Sequence, residues 1–326
     1  MRQDYAQYRL RFTVPPDQAG RELLEFVQCR FSCFTLDEWS ERIERHRVLV
    51  DNAPTKADHV LVVGNRIEYL DADVPEPDVD TRFRIVYQDD HLLVIDKPAG
   101  LPCHPGGRYL HNTLTYLVNK HLSIDDVMLV NRLDRETSGL ILLALDSQSC
   151  TALQQQFAAR TVDKRYEVFV EGGFPDVCRA EGYMVPDSGS VVRRRRRFIR
   201  AEDATPAHEL PADADAAVTE FTRIATDGTI SHLAARLETG RQHQIRATLL
   251  GLGYPVVGDK LYGVDPALFL RFCNGALTDA NRRALRIERQ ALHARSLGFT
   301  HPTDGRLLGF TAPLPPDLEA LARHIK

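Results

Sequence analysis

This 326-residue sequence lacks the features that would place it in a membrane or cross-link it with disulfides. Its longest apolar run, Leu140 to Leu145, is far shorter than the roughly 20 residues that span a bilayer. No signal-like apolar region opens the chain, so we expect no membrane partner and a cytoplasmic location. The six cysteines are scattered rather than clustered, which predicts reduced thiols.

Nucleotide-binding and metal-binding patterns are missing as well. No Walker A sequence occurs, and the glycine pattern from Gly251 to Gly258, interrupted by Pro255, does not fit a dinucleotide-binding loop. His243 and His293 do not have the H-x-x-x-H spacing of a helical metal pair, which favours histidines of the core or of a rim. We expect no metal and no nucleotide or other cofactor.

Net positive charge is absent too, although one segment is strongly basic. The formal net charge is −4, which on its own argues against a nucleic-acid partner. A run of arginines without carboxylates is usually a solvated loop, but its mutual repulsion would be relieved by a polyanion. Both interpretations stay open for this segment, whose candidate RNA-binding residues are Arg193, Arg194, Arg195, Arg196 and Arg197.

The order of apolar segments and breakers predicts two domains. Residues 1–70 contain two short helical patterns and a strand pair, which indicates a small α/β domain. An acidic segment with two prolines, residues 71–81, is typical of a linker. Residues 82–326 alternate short apolar strands with helical patterns, which predicts an α+β domain with a central mixed or antiparallel sheet and flanking helices. Within it, residues 174–217 are predicted to be an insertion or a mobile loop.

The polar segment from Asn131 to Leu140 is the strongest candidate for chemistry. Asp134 stands between two arginines, and apolar strands flank the segment on both sides, which places its side chains at a sheet end where clefts form. Nearby guanidinium groups would keep Asp134 ionised, as a nucleophile or a base requires. Taken alone, a charged surface turn explains the pattern equally well.

This segment resembles the H-R-L-D-x-x-T-S-G-L motif of the RluA-type RNA pseudouridine synthases. The resemblance covers about residues 82–318 and implies the pseudouridine-synthase fold and a cofactor-free isomerase that acts on RNA. Further blocks of the family follow in its order. They are the segments IVYQDDHLLVIDKPAGLP, HPGG, KRY, LETGRQHQIR, GYPVVGDKLYG, LHA and APLP.

The resemblance also implies a role for individual residues. Asp134 matches the catalytic aspartate, which acts at the ribose C1′, and Arg246 matches the arginine that pairs with it. Tyr166 matches the tyrosine that lies against the flipped-out uracil. Arg132 matches an arginine that helps the uridine leave the RNA stack, although an ion pair with Glu136 is an alternative. Lys164 would contact phosphate, or else be a solvated lysine at a strand end.

The chain departs from the family pattern at Asn131, where the family usually has histidine; the side chain still forms hydrogen bonds, so we expect activity to persist. Residues 1–70 resemble a divergent S-four-like RNA-binding domain, which favours ribosomal over transfer RNA as substrate. We expect the protein to be a monomer with RNA as its partner. The alternative function is a non-catalytic RNA-binding protein that retains the synthase fold.

Overall fold

The computed structural model divides into two compact units. It describes residues 10–30, 34–70, 76–106, 109–192, 194–204, 210–265, 267–273 and 275–325. The first unit comprises Met1–Val79 and His104–His121, and the second comprises Asp80–Cys103 and Leu122–Lys326. The predicted boundary was therefore incomplete, because residues 104–121 belong to the first unit. Residues 71–75 of the predicted linker lie outside the described residues.

The first unit has the two short helices and the strand pair that the sequence predicts. Its four-stranded antiparallel sheet has the order β1-β4-β2-β3. Trp39 fills the core, with its ring 5.1 Å from the rings of both Phe34 and Tyr69. The elements are β1 (Leu10–Thr13), α1 (Leu23–Arg30), α2 (Leu36–Glu44), β2 (Val48–Val50), β3 (Ala53–Pro54) and β4 (Arg66–Tyr69).

A later segment of the chain completes this unit. Leu110 is buried among the apolar side chains of the first unit's core. The carboxylate of Glu76 accepts hydrogen bonds from the backbone N–H groups of His111 and Asn112, at 2.6 and 2.7 Å. The helix α3 (Leu114–Leu122) follows. No sequence pattern indicates this arrangement, because the contacts join residues about 35 positions apart.

The second unit is built on one eleven-stranded mixed sheet, and the α+β prediction is confirmed. The sheet order is β11-β10-β12-β13-β9-β14-β8-β6-β5, with β15 paired to β14 and β7 paired to β8. Only the pairing of β8 with β14 is parallel among the described strands. The strands are β5 (Arg84–Gln88), β6 (Leu92–Lys97), β7 (Met128–Leu129), β8 (Ser138–Ala144), β9 (Asp163–Glu171), β10 (Val177–Pro186), β11 (Arg196–Arg200), β12 (Asp215–Thr226), β13 (Ile230–Leu237), β14 (Leu292–Thr300) and β15 (Leu307–Thr311).

The helices of the second unit are short. In the described part of the chain, no helix combines the length and the apolar character needed to cross a bilayer. The helix α5 matters most for the site, because its residues from Gln244 to Leu249 are all buried. The helices are α4 (Ser147–Ala158), α5 (Gln244–Gly251), α6 (Leu268–Cys273), α7 (Asp279–Leu285) and α8 (Pro316–His324).

The prediction of a mobile loop over residues 174–217 is wrong for most of that segment. The strand β10 pairs with both β11 and β12, so the segment supplies one edge of the main sheet. Met184 and Phe198 are buried in the core of this unit. The arginines and the acidic residues of the segment obscured its strand pattern in the sequence. Residues 205–209 lie outside the described residues.

The fully buried strand β8 positions the motif that precedes it. Gly139 has a φ of +106°, and a Cβ atom there would lie 2.3 Å from the carbonyl oxygen of Ala294 on β14. Only glycine allows this close approach between the two parallel strands. The side chain of Asn131 accepts a hydrogen bond from the backbone N–H of Leu142 at 2.9 Å, which ties the start of the motif to β8.

Candidate active site

Asp134 lies in a tight turn immediately before β8. The backbone N–H of Thr137 donates to the carbonyl of Asp134 at 3.1 Å, and the Asp134 side chain is 30% exposed. The turn is held in place by the fully buried Lys97, whose amine donates to three backbone carbonyls, including that of Arg135 at 3.1 Å. Burial lowers the pKa of Lys97 to about 8. The buried amine thus fixes the turn in a single conformation.

Arg246, on α5, connects the Asp134 carboxylate to a second, buried carboxylate. Its Nη1 donates to Asp134 Oδ2 at 2.7 Å. Its Nε and Nη2 donate to the two oxygens of Asp259, at 2.6 and 2.9 Å. Asp259 is fully buried and also accepts the backbone N–H groups of Leu261 and Tyr262. The predicted pairing of Asp134 with Arg246 is present, whereas the sequence analysis did not identify Asp259.

These contacts keep Asp134 ionised. Burial raises its pKa, but the Arg246 guanidinium, together with His243 and a hydrogen bond from Gln290, outweighs this effect, and the net pKa lies below the ordinary value. The pKa of Asp259 is also lowered, because Arg246 and two backbone N–H groups outweigh its burial. At neutral pH the site therefore holds two carboxylates and one guanidinium. Only the Asp134 carboxylate is partly open to solvent.

Two further side chains, His243 and Tyr262, belong to the site, and sequence reasoning missed both. The Nε2 atom of His243 lies 3.7 Å from Asp134 Oδ1, and its Nδ1 atom lies 2.9 Å from the Tyr262 hydroxyl. The guanidinium of Arg246 lies over the Tyr262 ring, 4.8 Å from its centroid. His243 had been assigned to the core or a rim. The available signal was its position three residues before Arg246, in the same sequence block.

Tyr166 projects from β9, whose neighbours in the sheet are β13 and β14. It is half-buried against the main core of this unit. Burial and the negative charge of Asp134 raise the pKa of its phenol, so the hydroxyl keeps its proton at neutral pH. The geometry thus brings three of the sequence-predicted residues together, namely Asp134, Arg246 and Tyr166. A neutral phenol can pack against a base or form a hydrogen bond, but it is a poor base.

The side chains of Arg132 and Lys164 differ in their exposure to solvent. Arg132 is exposed, and no carboxylate of a described residue lies within ion-pairing distance of it. Its alternative partner, Glu136, pairs instead with Lys260 at 3.0 Å. Lys164 is only 6% exposed, and its amine lies 5.4 Å from the centroid of the Phe157 ring. Burial lowers the pKa of Lys164. This environment argues against the phosphate contact predicted for Lys164.

The arginine run is divided between solvent and the interior. Arg193 lies outside the described residues, while Arg194 and Arg197 are exposed. Arg195 forms an ion pair with Asp187, so the run is not free of carboxylates in three dimensions. The backbone N–H of Arg196 donates to the Tyr262 hydroxyl at 2.8 Å. The solvated-loop interpretation is wrong for the described arginines that lie on β11, and the run approaches the site.

This arrangement can carry out chemistry centred on a single carboxylate. Among the described residues, no group of three or more histidine, cysteine, aspartate or glutamate side chains could hold a metal ion. Arg246 binds Oδ2 of Asp134, while His243 Nε2 lies 3.7 Å from Oδ1, beyond hydrogen-bond distance. A fixed anion with one open oxygen suits nucleophilic attack or the removal of a proton.

Comparison with known proteins shows what this chain is similar to. A family model described as RNA pseudouridylate synthase matches residues 91–250. "Ribosomal large subunit pseudouridine synthase D" of Xanthomonas campestris pv. campestris is 34% identical over 326 residues, covering 97% of this chain and 93% of that protein. The protein of the same name from Nitrosomonas europaea is 32% identical over 332 residues, covering 97% and 88%. The solved structure "Human RNA Pseudouridylate Synthase Domain Containing 1" has a similar fold, with a TM-score of 0.57 at 22% identity, covering 75% of this chain and 89% of that chain.

The link between Asp259 and Arg246 predicts the effect of Asp259→Asn. Removing one carboxylate from a buried pair leaves charge uncompensated, so we expect a loss of about 3–5 kcal/mol in the free energy of unfolding. The matched control is Asp317→Asn, because Asp317 also receives a two-point contact from an arginine, Arg289, but is 43% exposed. We expect that control to lose about 1 kcal/mol or less. Urea unfolding measures both, and equal losses would contradict the role given to Asp259.

Proposed function

The chain belongs to the RNA pseudouridylate synthase family and is an isomerase that acts on RNA, and we propose that it converts uridines of large-subunit ribosomal RNA to pseudouridine. Asp134 is the residue that reacts. The observation that carries the proposal is the carboxylate of Asp134, held ionised by Arg246 with one oxygen open. The reaction breaks the bond between C1′ and N1 and forms a bond between C1′ and C5. A proton leaves C5 and N1 gains one, so no oxidant or reductant is needed.

The geometry supports a division of roles in the site. Asp134 Oδ2 is occupied by Arg246, so Oδ1 is the oxygen available to act at C1′, either by attack or by assisting departure of the uracil. The uridine must leave the RNA stack to reach it, and the Tyr166 ring offers a surface that replaces part of the lost stacking. The exposed Arg132 is free to contact the RNA beside the flipped nucleotide.

Ribosomal RNA is the favoured substrate because of the names and lengths of the relatives. The proteins from Xanthomonas campestris pv. campestris and Nitrosomonas europaea are named for the large ribosomal subunit, and their similarity includes 97% of this chain. The aligned region therefore extends well beyond the catalytic motifs. We propose that the first unit is an S-four-like domain that adds RNA affinity, and that the protein acts as a monomer. A ribosomal substrate would place it in the cytoplasm.

Asp134→Asn tests the proposed function most simply. The amide has the same shape but neither the charge nor the basicity of the carboxylate, so we expect tritium release from [5-³H]uridine-labelled RNA to be abolished while RNA affinity persists. Asp163→Asn is the control, because Asp163 is an exposed aspartate of β9 that pairs with Arg165. Near wild-type release by Asp134→Asn would overturn the proposal. RNA binding without release by the wild-type protein would favour the non-catalytic alternative.

The raised pKa of Tyr166 predicts how its ring and hydroxyl differ in importance. Tyr166→Phe keeps the ring and should stay active, because a phenol that holds its proton is not the base in the reaction. Tyr166→Ala removes the stacking surface and should lose about 1–3 kcal/mol of interaction with the substrate. Single-turnover rates and RNA affinities measure both variants. An inactive Tyr166→Phe that still binds RNA would show that the hydroxyl takes part in the chemistry.

The division of the arginine run predicts two different outcomes of charge removal. Replacing the exposed Arg194 and Arg197 with glutamine should make the log–log dependence of RNA binding on salt shallower by roughly 1.4, at about 0.7 per phosphate contact with single strands. Arg195→Gln should instead lower stability and leave that slope nearly unchanged, because Arg195 is occupied by Asp187. The same slope in the double variant and the wild type would exclude RNA contacts by these arginines.

A further inference from the structure

His243 faces the one oxygen of Asp134 that Arg246 leaves open. Its Nε2 atom lies 3.7 Å from Asp134 Oδ1, whereas Arg246 holds Oδ2. We propose that His243 is a positioning residue, a neutral imidazole whose Nε2–H is aimed at Asp134 Oδ1 and whose tautomer is fixed by Tyr262. This inference rests on the proposed function, because it assigns a role to His243 only if Asp134 Oδ1 is the reacting oxygen.

The Tyr262 hydroxyl determines which imidazole nitrogen carries the proton. Its oxygen accepts a hydrogen bond from the backbone N–H of Arg196 at 2.8 Å, and His243 Nδ1 lies 2.9 Å away. In the proposed arrangement the hydroxyl, with one lone pair occupied, directs its proton at Nδ1, which acts as the acceptor. Burial raises the pKa of Tyr262 to about 12, so the hydroxyl has a proton to donate. A neutral imidazole with a bare Nδ1 carries its proton on Nε2.

The surroundings of His243 favour the neutral imidazole. The side chain is only 13% exposed, and the charged groups that act on it are Asp134, Asp259, Arg246 and Arg132. Burial and the two arginines lower its pKa more than the two carboxylates raise it, so the net shift is downward. A cationic histidine would compete with Arg246 for Asp134. A neutral one adds a donor and leaves the charge of the site unchanged.

The backbone at His243 is also unusual. Its φ of 57° and ψ of 19° lie in the left-handed region, which non-glycine residues rarely adopt. His243 is the N-cap of α5, yet its side chain makes no hydrogen bond to that helix. The strained conformation instead directs the ring toward Asp134 and Tyr262, while Arg246 lies three residues further on. Conformations of this kind are retained where the surrounding structure requires them, often at functional sites.

The contact between His243 Nε2 and Asp134 Oδ1 can orient the carboxylate and still leave this oxygen free to react. A distance of 3.7 Å is longer than a hydrogen bond, so Asp134 Oδ1 remains accessible to C1′. The Nε2–H dipole nevertheless favours the ionised carboxylate and one orientation of it. Because Arg196 lies on β11, hydrogen bonds also connect the edge strand that carries the exposed Arg197 to the His243 ring, which lies beside Asp134.

Nitrogen NMR tests the tautomer directly. We would record ¹⁵N–¹H correlation spectra of ¹⁵N-histidine-labelled full-length protein at neutral pH, with His243 assigned by its loss in His243→Asn. The proposal requires a protonated Nε2 and a bare Nδ1. Tyr262→Phe removes the donor to Nδ1 and should allow both tautomers to be populated. A proton on Nδ1, or a cationic ring, in the wild-type protein would overturn the proposal.

Kinetics test the function of the donor. His243→Asn tolerates the left-handed backbone and can still accept from Tyr262, but its shorter side chain has no donor at the Nε2 position. We expect its single-turnover rate to fall about tenfold, because the dipole that orients Asp134 Oδ1 is lost. His243→Gln places an amide N–H near the Nε2 position and should remain within about threefold of the wild type. Equal rates for the wild type and His243→Asn would contradict the proposal.

The pH–rate profile distinguishes positioning from a purely structural effect. A donor dipole that faces a carboxylate lowers its pKa, so losing the Nε2–H should raise the pKa of Asp134 and move the acidic limb of His243→Asn to higher pH. His46→Asn serves as the stability control, because His46 has the same φ of 57° in the first unit. If Asp134→Asn is inactive but His243→Asn matches the wild type in rate and acidic limb, this inference fails while the proposed function stands.

Discussion

The contact of Arg246 with two carboxylates is the interaction on which the rest of the site depends. Asp259 is fully buried, and its charge is balanced by two donors from Arg246 and by two backbone N–H groups. Once Arg246 is fixed in this way, only its remaining terminal nitrogen is directed at Asp134. The cost of burying the guanidinium is offset because both carboxylates are ionised. A single buried cation thus determines the position of the Asp134 carboxylate.

The sheet brings together the three segments that this contact requires. The turn that carries Asp134 precedes β8, which runs parallel to β14 through the close approach at Gly139. The side-chain amine of Lys97, at the end of β6, fixes the same turn by donating to the backbone carbonyl of Arg135. The helix α5 supplies both His243 and Arg246 from a single turn. Segments more than 100 residues apart therefore meet at one carboxylate, Asp134.

The sequence predicted residues that stand in family blocks better than it predicted long-range partners. Asp134 and Arg246 could be identified because their blocks are specific, and their pairing is present in the structure. Asp259 and Tyr262 stand in such a block too, but only the folded chain shows that they support Arg246. Lys164 was predicted to contact phosphate from its place in a family block, two residues before Tyr166, but its side chain is buried. Charge misled the prediction for residues 174–217, where an edge strand looked like a loop.

The central claim is that Asp134 is the group that acts on the ribose. The most direct measurement is the distance from the residue-134 side chain to C1′ of the target uridine, in a structure of the Asp134→Asn protein bound to a ribosomal RNA fragment. The account predicts a uridine flipped out of its stack, against the ring of Tyr166. Its C1′ should lie about 3–3.5 Å from the side-chain oxygen of residue 134, as a reacting pair requires. A flipped uridine whose C1′ stands beyond contact distance of residue 134 would contradict the account.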